Sequence, residues 1–202
     1  REGKLKKVHG GAVALTAELI SAEPDVGEKL KLNMTEKDAI AKYSATLIHQ
    51  NDLIFIDAGT TTEKLIDYIE QKGATYVTNG FLHAHRLAKR GFNVILTGGE
   101  VKPTTQALVG ISCVESIKNY NFTKAFLGTN GISLENGLTT PNINEAGVKR
   151  AAAEKSYITY ILADNSKFNR TAAAQNSDVC IITDRLPDER YRDITVIKEV
   201  LK

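Results

Sequence analysis

The stretch Leu53-Ile54-Phe55-Ile56-Asp57-Ala58-Gly59-Thr60-Thr61-Thr62 decides the fold. Its four apolar residues read as a short buried strand. A small, polar, glycine-bearing turn follows, and residues 63–71 then read as a helix. The same unit recurs downstream. Strands are expected over residues 74–77, 93–96, 124–127, 157–162 and 179–182, with a further one over 194–197, and helices over 81–89, 113–119 and 142–155. Upstream, Thr35 reads as the N-cap of a helix that carries Ala39, Ile40, Tyr43, Ser44, Leu47 and Ile48 at helical spacing. Residues 10–31, broken by Pro24 and Gly27, carry no clear pattern. Short apolar runs separated by helices imply crossover connections. The expected fold class is therefore α/β, a mainly parallel sheet flanked by helices and Rossmann-like.

The informative feature is where the polar residues fall. The strands run into Asp57 to Thr62, Thr78-Asn79-Gly80, Thr97-Gly98-Gly99-Glu100, Gly128-Thr129-Asn130-Gly131 and Asp164-Asn165-Ser166-Lys167. In an open parallel sheet, ligands bind in the crevice outside the carboxyl ends of the strands, so these five loops would line one edge. Gly59-Thr60-Thr61-Thr62 is the sharpest of them. Glycine admits a close backbone approach, the first helical N–H groups point outward, and the helix dipole favours an anion. That suits a phosphate, while plain N-capping by threonine is the simpler alternative. The loop lacks the length and the lysine of a nucleotide-binding Gly-x-x-x-x-Gly-Lys-Ser/Thr motif. Asp57, beside a phosphate, must accept a ligand hydroxyl or make a structural hydrogen bond.

The other positions have equally plain alternatives. Asn79-Gly80 fits a hairpin turn or a strand-to-helix turn. Gly98-Gly99 fits a turn or a close approach to ligand. Glu145 and Lys149, four apart on one helix, fit a surface ion pair. Lys167 can reach an anion or simply be solvated. His83 and His85 are two apart on a helix and point in different directions, His9 and His49 have no partner in sequence, and Cys113 and Cys180 show no ligand spacing, so no metal is expected.

Composition sets the class. The chain has 202 residues, 42% of them hydrophobic and 25% charged, an ordinary globular mix. At that length about 70% of the unfolded surface can be buried without a metal or disulfide. No run approaches the roughly 18 uninterrupted apolar residues of a membrane span. Two cysteines fit a reducing cytoplasm, and no secretory leader is expected. The net charge is +2, but it is uneven. Arg1, Lys4, Lys6 and Lys7 face only Glu2, whereas the remainder carries 22 basic and 23 acidic residues. The leading stub suits a phosphate backbone or is a solvated tail, and the body has no such excess. An opening residue of Arg1 rather than Met fits a piece of a longer protein.

Taken together, these residues resemble the C-terminal effector domain of DeoR-type bacterial transcriptional repressors. The resemblance covers nearly the whole chain. It rests on an ordered set: Val8-His9-Gly10-Gly11-Ala12, Ile56-Asp57-Ala58-Gly59-Thr60-Thr61, Thr78-Asn79, Gly98-Gly99 and Phe126-Leu127-Gly128. Gly131-Ile132, Gly137-Leu138-Thr139-Thr140, Glu145, Lys149 and Leu162-Ala163-Asp164-Asn165-Ser166-Lys167-Phe168 complete it. The resemblance implies that residues 1–12 are the trailing edge of a missing winged helix-turn-helix and that residues 13–202 bind a sugar-phosphate effector. That domain in turn resembles ribose-phosphate isomerases, which carries a phosphate role to Gly59, Thr60, Thr61 and Thr62. The isomerases' Asp-Gly-Ala-Asp-Glu motif here reads Leu127-Gly128-Thr129-Asn130-Gly131, without its acids, and their lysine-glycine run falls near Leu138-Thr139-Thr140, without a lysine. Glu145 matches their base and Lys167 their Ser-Lys. Moving a proton between carbons needs a base and an electrophile, so a binder is expected, with an active isomerase as the alternative and a purely structural oligomerisation domain as a third reading.

The expected effector contacts are Asp57, Gly59, Thr60, Thr61, Thr62, Thr78, Asn79, Gly98, Gly99, Asn130, Glu145, Lys149 and Lys167. Within the family, the likeness is strongest to repressors of lactose or galactose phosphotransferase operons. It implies a ketohexose phosphate as inducer, operator DNA reached through the missing module, a homodimer or homotetramer, a cytoplasmic protein, and no cofactor.

Overall fold

The computed structural model describes residues 5–8, 11–14, 18–20, 26–172, 174–176 and 179–201. Of the expected leading stub, residues 1–4, 9 and 10 lie outside the described residues.

Seven strands form one sheet. They are β1 (Leu53–Ile56), β2 (Thr75–Thr78), β3 (Asn93–Leu96), β4 (Phe122–Gly128), β5 (Ser156–Leu162), β6 (Cys180–Thr183) and β7 (Val196–Glu199). Every pairing between them is parallel, and their order is β3-β2-β1-β4-β5-β6-β7. Among the described residues six helices accompany them: α1 (Val26–Lys31), α2 (Met34–Ala45), α3 (Thr60–Tyr68), α4 (Phe81–Lys89), α5 (Ile111–Lys118) and α6 (Ile143–Glu154).

Successive strand residues face opposite sides of a sheet, and the core divides accordingly. Ile54, Ile56, Tyr76 and Phe126 pack with Ile40 of α2, Leu65 and Ile66 of α3 and Leu87 of α4. Phe55, Val77, Ala125 and Leu127 face the other way, onto Cys113 and Ile117 of α5 and Val148 and Ala152 of α6. A strand buried on both sides reads as a continuous apolar run, which is why Leu53 to Ile56 does not alternate.

The topology places the site. From β1 the chain winds outward through β2 to β3, then returns across the sheet to lay β4 on the free side of β1. The register Ile54↔Lys124, Phe55↔Ala125 and Ile56↔Phe126 brings the carboxyl ends of β1 and β4 together at the point where strand order reverses.

Smaller sheets surround that end. Glu100–Lys102 pairs with Ala107–Val109 as an antiparallel hairpin. Gly131–Ser133, Gly137–Thr140 and Ala174–Asn176 form a three-stranded antiparallel sheet. No strand is expected from sequence in either, because most of these segments are polar or glycine-bearing rather than compact apolar runs. Leu5–Val8 pairs with Gly11–Ala14, and Glu18–Leu19 runs parallel to Arg170–Thr171.

Some local expectations are corrected. The N-cap of α2 is Asn33, not Thr35, and it adopts a left-handed φ of 51°. Asparagine tolerates that region better than threonine does. Asn79-Gly80 makes no hairpin, since α4 starts at the next residue. Helix α3 begins at Thr60 rather than at residue 63. Residues 26–31 are helical although Gly27 lies among them.

Candidate functional site

The loops that leave the carboxyl ends of β1 and β4 line a cavity. Asp57 leaves β1 and is buried, and its Oδ2 accepts the Gly128 N–H at 3.0 Å. Lys149, reaching down from α6, ion-pairs with the same oxygen. Of the two roles open to Asp57, the structural hydrogen bond is therefore present, reinforced by a cation.

Helix α3 starts at the cavity wall. Its first-turn amides have no carbonyl four residues back, and its dipole presents positive charge there. Gly59, Thr60 and Thr61 line the space. Thr62 does not. Its hydroxyl accepts the Gly59 N–H at 2.9 Å and donates to the Asp57 carbonyl at 2.5 Å, so it braces the turn from within.

Two further groups hold that turn. Asn79 Oδ1 accepts the Ala58 N–H at 3.0 Å while its Nδ2 donates to the Leu108 carbonyl at 3.1 Å. His83 Nε2 lies 3.2 Å from the Gly59 carbonyl and donates to it. Burial drives the His83 pKa down to about 4, against the pull of the Asp57 charge and the Gly59 carbonyl. The imidazole is neutral at physiological pH, and it also lines the cavity.

Opposite α3, Asn142 caps α6 by accepting the Asn144 and Glu145 N–H groups at 3.0 and 3.1 Å. That fixes Glu145 in the wall. Its Oε1 accepts from Lys102 Nζ and from Thr105 Oγ1, both at 2.9 Å. Glu145 and Lys149 thus do not pair with one another on the surface. Each side chain turns inward to a separate partner.

The remaining cations converge from other elements. Lys37 is buried on α2 and donates to the Lys29 carbonyl. Burial lowers its pKa, opposed by Asp164 and assisted by the positive charges of Lys167 and Lys29. Lys167 is lowered too, by burial first, then opposed by Asp164 and assisted by Lys29 and Arg170. Neither Lys37 nor Lys167 makes an ion pair among the described residues. Both ammonium groups line the same cavity as Thr60 and Thr61 at the start of α3, and Asp164 is the carboxylate that favours their charge. Asn130, whose Oδ1 accepts the Thr140 hydroxyl at 3.1 Å, lines the cavity too, as do Thr105 and Gln106.

Of the expected contacts, the cavity brings together Asp57, Gly59, Thr60, Thr61, Asn130, Glu145, Lys149 and Lys167. Thr62, Thr78, Asn79, Gly98 and Gly99 stand outside its lining. Thr78 donates to the Ile56 carbonyl at 2.6 Å and accepts the Gly80 N–H at 3.0 Å. Gly98 and Gly99 abut α5. A Cβ on Gly99 would lie 2.5 Å from the Val109 carbonyl oxygen, so the close approach there is to the chain itself.

Sequence reasoning missed Lys29, Lys37, His83, Thr105 and Gln106. Lys37 had a legible signal, since it sits three and four residues before Ile40 and Ala41, inside the apolar stripe of its helix. The others come from elements that the pattern did not resolve or from a histidine with no partner in sequence. Among the described residues no group of three His, Cys, Asp or Glu side chains can hold a metal ion. No helix among them is long and apolar enough to cross a membrane.

Comparisons with known proteins bear on this site. A family model described as the DeoR C terminal sensor domain matches residues 32–185. The uncharacterized HTH-type transcriptional regulator FruR of Bacillus subtilis (strain 168) is 40% identical, covering 98% of this chain and 81% of its own length. The lactose phosphotransferase system repressor of Staphylococcus epidermidis is 32% identical, covering 99% of this chain and 82% of its own length. Among solved structures, ribose 5 phosphate isomerase A from Neisseria gonorrhoeae matches 70% of this chain and 54% of that enzyme at 14% identity, with a TM-score of 0.48. The chain thus spans about half the length of that enzyme.

Proposed function

The chain belongs to the DeoR family of C-terminal sensor domains, and from that premise we propose that the crevice between β1 and β4 binds a phosphorylated sugar as inducer of a sugar-operon repressor. The observation that carries this reading is charge. Lys37 and Lys167 make no direct ion pair among the described residues, with Asp164 as a nearby carboxylate that favours the charge of both, and they share one cavity with the start of α3. A phosphate monoester carries about −1.5 to −2 charges at neutral pH, which matches two ammonium groups.

Magnitudes decide how much the phosphate does alone. Charge-assisted hydrogen bonds contribute about 1.5–3 kcal/mol each. Three or four give roughly 5–12 kcal/mol gross, from which ordering costs are subtracted. Micromolar binding needs about 8 kcal/mol net. The sugar hydroxyls must therefore contribute, and Asn130, Thr105, Gln106 and the free oxygen of Glu145 are the groups within reach. Selection by hydrogen bonds to hydroxyls is sharp, because an analogue lacking one leaves a polar group unpaired. A ketohexose phosphate is the effector class we favour, with operator DNA contacted through a winged helix-turn-helix N-terminal to this domain, in a cytoplasmic homodimer or homotetramer.

The isomerase alternative is weaker. Glu145 stands where a base is wanted, but its Oε1 is engaged by Lys102 and Thr105. The loop Leu127 to Gly131 brings no carboxylate to work with it. A binder that has lost the isomerase motif accounts for both.

Thermal unfolding with matched pairs of phosphorylated and unphosphorylated ketohexoses tests the proposal. The phosphorylated member should stabilise the domain by about 2.7 kcal/mol at a hundredfold excess over its Kd, and the free sugar should have no effect. An equal response to both members removes the phosphate site.

A further inference from the structure

Helix α1 stands just before residue 32, where the match to the sensor family begins. Its Lys29, and Leu32 after it, nevertheless line the same cavity as Thr60, Lys37 and Lys167. We propose that this connector is a wall of the effector site: Lys29 contacts the bound phosphate group, and occupancy pins α1 onto the sensor core. The proposal rests on the phosphorylated-effector reading above.

The connector is tied to the pocket at several points. Lys37 Nζ donates to the Lys29 carbonyl. Asn33, in the turn between α1 and α2, donates from Nδ2 to Asp164 Oδ1 at 2.9 Å and to Ser166 Oγ at 3.0 Å. Asp164 and Ser166 belong to the turn that carries Lys167. The chain beyond that turn receives the segment upstream of α1, for the Glu18 N–H donates to the Asn169 carbonyl at 3.0 Å and the Ile20 N–H to the Thr171 carbonyl at 2.8 Å. One short loop, residues 164–171, thus presents a cation to the cavity and grips the chain on both sides of α1.

Electrostatics gives the linkage its direction. The Lys29 charge lowers the pKa of both Lys37 and Lys167, and Asp164 is the carboxylate that opposes this in both cases. Lys29, Lys37 and Lys167 carry like charges close enough to disfavour one another, with Asp164 as the opposing carboxylate. A dianion placed among them adds an attraction that all three share, and so favours α1 in place on the core. By linkage, whatever fixes α1 must change effector affinity by the same factor. The coupling leads toward the N-terminal side, where the proposed operator-binding module lies.

Hydrogen exchange of this chain with and without saturating inorganic phosphate tests it, alongside calorimetric phosphate affinity. Wild type is compared with Lys29→Gln, Lys29→Arg and Lys31→Gln. Lys31 lies on the same helix but is exposed and outside the cavity. Phosphate should slow exchange across residues 26–32 in wild type and in Lys31→Gln. Lys29→Gln should bind phosphate about tenfold more weakly, the loss of one charge-assisted contact, and should lose the slowing. Lys29→Arg should keep both. Unchanged affinity in Lys29→Gln, or bound phosphate with exchange in α1 unaltered, overturns the connector proposal and leaves the effector reading standing. Failure of wild type to bind phosphate at all overturns both.

Discussion

Lys37 is a buried lysine in the wall of the cavity. A buried lysine without a direct ion pair is costly in its charged form. Its pKa lies below 10.5 in the folded chain, as does that of Lys167. Between the lowered value and 10.5 the unfolded chain holds more protons than the folded one. The stability of the empty domain should therefore rise with pH across that window, and the penalty should be fully present below it. Urea unfolding over a pH series, wild type against Lys37→Met, checks this: the difference in midpoint should shrink as pH rises. Bound phosphate favours the charged lysines, so affinity should fall as pH climbs through the lowered pKa. Binding there should take up protons, measurable by calorimetry in buffers of different ionisation heat. Gly99 illustrates the opposite kind of residue. Its φ of 124° and its contact with the Val109 carbonyl leave no room for a side chain. Gly99→Ala should cost about 1–3 kcal/mol in urea unfolding and leave the phosphate response intact, because the residue serves the packing of hairpin on α5.

Elements differ in how plainly they announce themselves. Leu53–Ile56, Phe81–Lys89 and Asn93–Leu96 are legible residue for residue. Each is either a compact apolar run with turn residues on both sides or a stretch at helical spacing closed by Gly91. The hairpin Glu100–Lys102 with Ala107–Val109 is not legible. Its first strand is polar and mostly exposed, and its pairing is visible only in three dimensions. That hairpin carries Thr105 and Gln106 to the cavity, so half of one wall is hidden from sequence reasoning. Helix α6 stands between these cases, with its body clear and the orientation of Glu145 and Lys149 not. Asn142 controls that orientation through two backbone bonds. Asn142→Ala should destabilise the domain by about 1 kcal/mol. It should also weaken sugar-phosphate binding more than inorganic phosphate binding, since the frayed turn holds Glu145 and not α3. Paired titrations with the two ligands measure this.

The whole molecule follows one topological rule. A parallel sheet wound outward from β1 and then restarted on its other side must leave a crevice at the restart, and the polar loops collect there. Reading strand ends rather than residue types located that crevice from sequence at Asp57 to Thr61 and at Asn130. It did not foresee that the second loop turns its side chains inward and that the third packs its glycines on the chain itself. Thr78 and Asn79 satisfy backbone groups of the neighbouring strand and hairpin, a use that no local pattern distinguishes from ligand contact. Nor did it foresee the connector, because a six-residue helix has too few turns for a periodicity to emerge.

The register that lays Lys124 beside Ile54 also has a temporal consequence. The two lips of the crevice are 70 residues apart along the chain, and Lys149 and Lys167 come later still. During synthesis the first half can settle around β1, β2 and β3, yet it offers a sugar only a single bare lip. On the proposed reading, no product that ends before Lys167 carries the complete crevice.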